Sequence, residues 1–253
     1  MHPILFEFGP FTIYTYGFCV ALAFLLGSGL VLRDAEREKL SRADVLDVLI
    51  ALLIGGLVGG RLLFVVINLG YFLERPLHIF MLNEGGMAFH GGLIGGVAGA
   101  LLACRMKKIS LWRMLDLVSP YAALGHAIGR IGCFLNGCCY GKCAETGLRV
   151  TFPGEIVARV PVQLYESGSL VALFLVLKFI SRKKTFEGQV FAAYVMLYAV
   201  LRFATEHFRD DNPVIFAGMD LPRLISIGLL VVGAGLWAWL RGRKKQGDAT
   251  FTR

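Results

Sequence analysis

The sequence predicts an all-α, polytopic membrane protein of about seven transmembrane helices, with the amino terminus outside and the carboxyl terminus cytoplasmic. Three observations carry this reading. Of 253 residues, 56% are hydrophobic and only 17% charged, far too apolar for a water-soluble domain. Several runs reach the roughly 20 residues that cross a hydrocarbon core without an Asp, Glu, Lys or Arg. Seventeen of the 26 Lys and Arg residues fall in alternate connections, and the positive-inside rule places those connections in the cytoplasm.

Taken in order, the first helix is expected over Ile13–Leu32, which holds no Asp, Glu, Lys or Arg. The second, near 46–70, is interrupted by Arg61, and the third, Gly85–Cys104, is again uncharged. Helices near 112–131, 163–181 and 188–208 carry Arg130, Glu166 and Arg202, which lower their hydropathy but leave span length intact. The last, Leu224–Leu240, is uncharged and ends in Trp237-Ala-Trp239, a pair suited to the membrane interface. The basic connections are 33–46, 105–113, 178–184 and 241–253. The amino-terminal Met1–Pro10 lacks a basic n-region and a small-residue cleavage site, so the first helix is expected to be retained.

No repeat or linker divides the chain, so residues 1–253 are expected to form a single membrane domain. Its long non-helical stretches lie outward, near 71–86, 131–162 and 209–221. Gly91 with Gly95, Gly92 with Gly96, and Gly55/Gly56 with Gly59/Gly60 have the small-xxx-small spacing that lets membrane helices approach closely. The net charge of +8 follows from topology and contact with anionic inner-leaflet lipid. The tail Arg241-Gly-Arg-Lys-Lys245 is therefore not read as a nucleic-acid site, and no nucleic-acid partner is expected.

Ionisable residues at membrane depth point to function. In Tyr198-Ala-Val-Leu-Arg202-Phe-Ala-Thr-Glu206-His-Phe-Arg209, residues 198, 202, 206 and 209 share one helical face. A guanidinium there suits an anion such as phosphate; the plainer alternative is an internal Arg202–Glu206 ion pair. The topology brings Tyr16, Arg61, His90, Arg130, Gln163, Glu166 and Arg202 to one level on the extracytoplasmic side, where headgroup meets acyl chain, as for a single cavity. His90 opens Phe89-His-Gly-Gly-Leu-Ile-Gly-Gly96. Neutral imidazole can accept a proton near neutral pH, and helix amino termini attract anions.

The outer loop Gly129-Arg-Ile-Gly-Cys133-Phe-Leu-Asn136-Gly-Cys138-Cys139-Tyr-Gly141-Lys-Cys143 holds four of the six cysteines. Spacing alone leaves zinc ligation, extracytoplasmic disulfides and electron transfer open. Adjacent Cys138-Cys139 is not the usual metal knuckle.

The same run resembles the signature of the bacterial prolipoprotein diacylglyceryl transferases, Gly-Arg-x-Gly-Asn-Phe-x-Asn-x-Glu-x-x-Gly. Tyr16-Gly, His90-Gly-Gly-Leu-Ile-Gly, Arg159-Val-Pro161-Val-Gln-Leu-Tyr-Glu166 and Tyr198-xxx-Arg202-Phe-xx-Glu206 are similar to further family segments, in order along nearly the whole chain. Cys133 stands at the signature Asn, Cys138 at its Glu and Val160 at the His before Pro, so no role of those three side chains is carried over.

The resemblance implies an inner-membrane enzyme, its active site facing outward, that moves the diacylglyceryl group of phosphatidylglycerol to the lipobox cysteine of a prolipoprotein signal peptide, the first step of lipoprotein maturation. It implies no cofactor: the lipid carries its own leaving group, and no P-loop or His-Glu-x-x-His run occurs. By this resemblance His90, Arg202, Tyr16 and Tyr198 are the candidate catalytic residues. Arg130, Asn136, Gly141, Gln163, Glu166 and Glu206 are candidates for substrate binding. Rival readings are an anion transporter built on the buried arginines and a thiol–quinone redox protein using the loop cysteines.

Overall fold

A computed structural model of the chain describes residues 1–8, 11–81, 85–144, 146–209, 212–216 and 218–251, with backbone alone at 8, 11, 216 and 244–251. The expected outer stretches therefore include positions 82–84, 145, 210, 211 and 217, which lie outside the described residues, as do the side chains of Lys244 and Lys245 in the basic tail. Two compact units emerge: Met1–Val31 with Leu115–Arg253, and Leu32–Met114.

The described fold is dominated by helices: α1 (Thr15–Asp34), α2 (Arg42–Ile67), α3 (Leu69–Glu74), α4 (Phe89–Met106), α5 (Leu111–Asn136), α6 (Val162–Arg182), α7 (Gln189–Glu206) and α8 (Leu221–Phe251). Each expected span has its long helix, with ends displaced by up to five residues except in α8, which runs on to Phe251, eleven residues past the expected end. Among the described residues, five stretches are long and apolar enough to cross a bilayer: Thr15–Glu38, Arg42–Ile67, Phe89–Met106, Val162–Arg182 and Leu221–Arg243. Their outer faces show the inverse of a soluble protein: Leu25, Leu62, Val66, Ile94, Leu175 and Val231 are exposed, as lipid-facing side chains are.

Differences from the sequence reading lie between the spans. Short α3 and a 3-10 turn, Pro76–Phe80, occupy what was expected to be loop. A hairpin of β1 (Ile4–Phe8) and β2 (Phe11–Tyr14) precedes α1, with Ile4 opposite Tyr14. A second, β3 (Val214–Phe216) with β4 (Met219–Asp220), precedes α8. Both use antiparallel pairing to satisfy backbone groups where the chain turns.

In the 32–114 unit, α2 and α4 touch backbone to backbone. A Cβ on Gly59 would fall 2.9 Å from Gly95 Cα, one on Gly60 3.0 Å from Met87 Cε, and one on Gly96 3.2 Å from Leu52 O. The glycine spacing thus acts as expected: a Cβ on Gly59 or Gly96 would meet the backbone of the facing helix and push the two apart. At the far end Lys107 pairs with Asp47 and, at 3.4 Å, with Asp44.

Arg61, on the same helix and 7% exposed, departs from the expected shared cavity. Its Nε donates to Ile79 O at 2.8 Å, Nη1 to Gly85 O at 2.6 Å and Gly86 O at 2.9 Å, and Nη2 to His78 O and, at 3.1 Å, to Met81 O. Guanidinium has five N–H donors, so all five are spent on carbonyls of one segment. Its carbon lies 5.4 Å from the Phe72 ring and 5.8 Å from the Phe64 ring. With Tyr71 these residues line a cavity of about 360 Å³. Arg61 is thereby an anchor for the backbone at His78, Ile79, Met81, Gly85 and Gly86, with no donor left for an anion.

In the other unit, Leu170, Leu173 and Leu177 of α6, at helical spacing, pack against Ala123 and Ala127 of α5 and Val190 and Ala193 of α7. Ser167 Oγ crosses to Ala127 O at 3.0 Å. At one end the fully buried Asp116 of α5 accepts from the backbone N–H groups of Gly188 (2.8 Å), Val190 (2.9 Å) and Phe191 (3.0 Å), with Lys184 Nζ at 3.3 Å. A carboxylate there satisfies the orphan donors and the positive end of α7. Fixing that end sets the register with which α5, α6 and α7 meet at the other.

Candidate active site

The carboxyl end of α5, the amino end of α6 and the carboxyl end of α7 meet in a chain of four charges. Arg130 Nε lies 2.6 Å from Glu166 Oε2, Glu166 Oε1 is 3.3 Å from Arg202 Nη1, and Arg202 Nη2 is 2.6 Å from Glu206 Oε2. The middle contact is a hydrogen bond in which Arg202 donates. The outer two are close ionic contacts without a well-aligned N–H, since Arg130 Nε, Glu166 Oε2 and Glu206 Oε2 make no directed bond. Asn212 Nδ2 donates to the other Glu206 oxygen at 2.6 Å, and Arg223 Nη2 to Glu206 O at 3.5 Å.

Depth separates the two kinds of group. The Glu166 and Glu206 side chains are 3% and 1% exposed, while those of Arg130 and Arg202 are 18% and 19% exposed. The carboxylates lie beneath and hold the guanidiniums, which retain an accessible face. With two charges of each sign the cluster is neutral, which lowers the cost of burying it. An anion arriving on the guanidinium side meets preoriented donors.

Around this chain stand aromatic and imidazole groups. Tyr198 of α7 stacks on Tyr194 at 5.9 Å and meets His126 of α5 at 5.7 Å between ring centroids. His126 lies one turn before Arg130 and was not singled out from the sequence; its i,i+4 spacing to Arg130 was the signal. Tyr16, 45% exposed, packs on α5, its Cδ2 3.5 Å from where a Cβ on Gly132 would stand.

Other expected residues take supporting positions. Gln163 is fully buried, and its Nε2 donates to Cys138 O at 2.6 Å, pinning the cysteine loop to α6. Gly141 N donates to Val160 O at 2.8 Å. A Cβ there would collide with Phe208 O and Val162 Cγ2, so Gly141 is required by packing. Asn136 ends α5 beside Cys138, with which it shares a side-chain hydrogen bond. His90 lies in the 32–114 unit, in the first turn of α4, exposed and 5.7 Å from the Phe89 ring.

The loop after α5 is built rather than slack. Gly137 (φ +78°) donates its N–H to Phe134 O and Cys138 donates to Cys133 O, both at 3.1 Å. Those two bonds with a left-handed glycine are a Schellman ending. It sets the thiols of Cys133 and Cys138 side by side. Burial pushes the Cys138 thiol up from its ordinary value, and Cys139 is raised foremost by its hydrogen bond to Cys133. Further on, Tyr140 stacks on Phe152 at 4.7 Å and donates to Glu155 at 2.5 Å, and Arg159 Nε donates to the other Glu155 oxygen at 2.9 Å.

Comparison with known proteins shows the family. A family model described as prolipoprotein diacylglyceryl transferase matches residues 3–239. The chain belongs to the prolipoprotein diacylglyceryl transferase family. It is 36% identical to the phosphatidylglycerol–prolipoprotein diacylglyceryl transferase of Geobacter sulfurreducens, over 97% of each chain. It is 33% identical to the Clostridium tetani protein of that name, over 97% of this chain and 100% of that one. The Bordetella parapertussis protein, 35% identical over 93% of this chain and 94% of its own, carries the same name. Family membership therefore covers both units and every element that contributes to the charge chain.

Proposed function

We propose that this enzyme transfers the diacylglyceryl group of phosphatidylglycerol to the cysteine thiol of a prolipoprotein signal peptide and releases glycerol phosphate. The family match across residues 3–239 carries the proposal, and the relatives' names supply both substrates. The accessible faces of Arg130 and Arg202 above buried carboxylates fit the lipid phosphate. Neither the anion-transporter nor the thiol–quinone reading is favoured by a family match that runs through the whole site.

In the reaction the thiol sulfur bonds to the glyceryl carbon as the bond from that carbon to the phosphate ester oxygen breaks. The electron pair leaves on the phosphate, and the thiol proton passes to a base. A free thiol has a pKa of about 8.5 and reacts as the thiolate, so a base beside it raises the reactive fraction. Negative charge grows on the departing oxygen, where Arg202 and Arg130 would stabilise it. We assign His90 to proton transfer or headgroup orientation, and Tyr16 and Tyr198 to hydrogen bonding. Asn136, Gly141 and Gln163 shape the site, and Glu166 and Glu206 position the guanidiniums. His126, in contact with Tyr198, is a second candidate base.

We further propose seven spans in one domain of the inner membrane, with the site facing outward. Helices α5 and α7, 26 and 18 residues long, have the reach of spans, and they are the ones whose hydropathy is lowered by Arg130 and Arg202. The deciding experiment mixes purified protein, phosphatidylglycerol and a lipobox peptide. Mass spectrometry should find a diacylglyceryl adduct on the peptide cysteine, and its absence with folded protein rejects the function.

A further inference from the structure

Three thiols converge beside the charge chain without belonging to it. The Sγ atoms of Cys133, Cys138 and Cys139 all lie within 4.8 Å of one another, with Cys138 and Cys139 at 3.3 Å, too far for the 2.05 Å of a disulfide. Cys133 is buried, Cys138 half-buried and Cys139 exposed, so the group opens to one side. We propose that this triad binds a thiophilic d10 cation of the Zn²⁺ class, held by three thiolates with the fourth position open to water.

The geometry follows from the chain. The Schellman ending makes Cys133 the third residue from the helix cap and Cys138 the second beyond it, the two positions whose side chains that motif brings together. Cys139 then adopts φ +65°, a left-handed backbone that a non-glycine residue rarely takes, and the turn returns its thiol to the same point. Gln163, through its 2.6 Å bond to Cys138 O, clamps the turn to α6. Tetrahedral Zn²⁺ with ligands at about 2.3 Å separates its sulfurs by about 3.8 Å, which lies inside the 4.8 Å limit that encloses all three thiols. The donor set is all sulfur, which selects thiophilic ions over Mg²⁺ or Ca²⁺.

Binding a divalent ion releases the three thiol protons to solvent and leaves one net negative charge on the centre. Arg130, one turn before Cys133 on α5, supplies a compensating positive charge nearby. Cys143, four residues beyond Cys139, is not part of the convergence.

The test uses full-length protein in detergent, reduced and kept anaerobic. Titration with Cd²⁺ should develop a thiolate-to-metal charge-transfer band that saturates at one equivalent per chain, and Zn²⁺ should compete it away. Cys139→Ser should weaken Zn²⁺ at least tenfold against a chromophoric chelator, and the Cys133/Cys138/Cys139 triple Ser variant should lose the band. Cys143→Ser should bind like the parent. Adduct formation on the lipobox peptide, assayed separately, is expected to persist in the triple variant. Its failure in the parent would reject the transferase reading while leaving the metal titration intact. No charge-transfer band in the reduced parent, or an undiminished one in the triple variant, overturns the site.

Discussion

Arg202 Nη2 and Glu206 Oε2, one turn apart on α7, stand 2.6 Å from each other. This is the internal ion pair that the sequence admits as a plain alternative to anion binding. The two readings do not exclude one another, because Glu206 is buried beneath while Arg202 keeps an accessible face and reaches Glu166 across the helix interface. The pair aims the guanidinium.

Glu166 is the hub of that arrangement, since one carboxylate holds Arg130 through Oε2 and Arg202 through Oε1. Glu166→Gln keeps the shape but leaves the partly exposed Arg130 and Arg202 facing one neutral amide, with Glu206 still paired to Arg202. Removing one partner of a buried ionic group costs about 3–5 kcal/mol. The variant should melt lower in detergent and turn over at least tenfold slower. An unchanged melting temperature and rate would show that Glu166 does not position the arginines.

Arg61 tests a different claim. Lysine would offer three donors where guanidinium offers five, and from a point rather than a fork. Arg61→Lys should leave carbonyls among residues 78–86 unsatisfied, at about 1–3 kcal/mol for each that stays buried. Limited proteolysis should then cut that segment faster than in the parent. Equal rates of cutting would remove Arg61 as its anchor.

The Tyr140–Glu155–Arg159 group predicts a pH dependence. The Tyr140 hydrogen bond, followed by the bond and charge of Arg159, holds the Glu155 carboxyl below its ordinary range. A folded value below the unfolded one, about 4.3, contributes stability that is fully present above that pH. The contribution is lost as pH falls through the folded value. Tyr140 is raised by the same bond to Glu155, so its share is complete below about pH 10 and fades as pH rises through its folded value. The melting difference between the parent and Tyr140→Phe should therefore be flat around pH 6–8 and shrink below about pH 4. A difference that grew on acidification would refute the linkage.

The proposed orientation, amino terminus outside and carboxyl terminus cytoplasmic, rests on seventeen basic residues in alternate connections. A reporter fused after Arg253 should be active in the cytoplasm. Activity only on the outer side would reverse the orientation and with it the side of the site.

Much of the helical fold was legible because bilayer-length apolar runs are long-range signals that survive interruption by one charge. The hairpins were not, since Ile4-Leu-Phe-Glu-Phe is short and as apolar as the helix it precedes. Arg130, Glu166, Arg202 and Glu206 could be picked out individually because charge in an apolar segment stands apart. The Arg202–Glu206 pair was legible from its i,i+4 spacing, but the joining of Arg130 and Arg202 through Glu166 was not, because Glu166 meets Arg202 across 36 residues. Arg61 carried the same sequence signal and proved to serve backbone carbonyls 17 to 25 residues away. The burial of Asp116 against the α7 amides was equally hidden, as was the meeting of three thiols, which depends on the left-handed turn at Gly137.

Arg202→Lys separates charge from shape. Lysine keeps the positive charge, but its ammonium cannot span Glu166 and Glu206 while also presenting two parallel N–H groups to a phosphate. Loss of one preorganised donor to developing charge costs about 10²–10³ in turnover, so Arg202→Lys should fall by that order while still inserting and folding. Arg202→Ala should be slower still and should also melt lower, because Glu206 would lose its charged partner beneath the site. Measuring both rate and melting temperature distinguishes the roles: a phosphate donor predicts a large rate loss in the Lys variant with a small melting shift. Near-parental turnover of folded Arg202→Lys at saturating phosphatidylglycerol would reduce Arg202 to an internal ion pair.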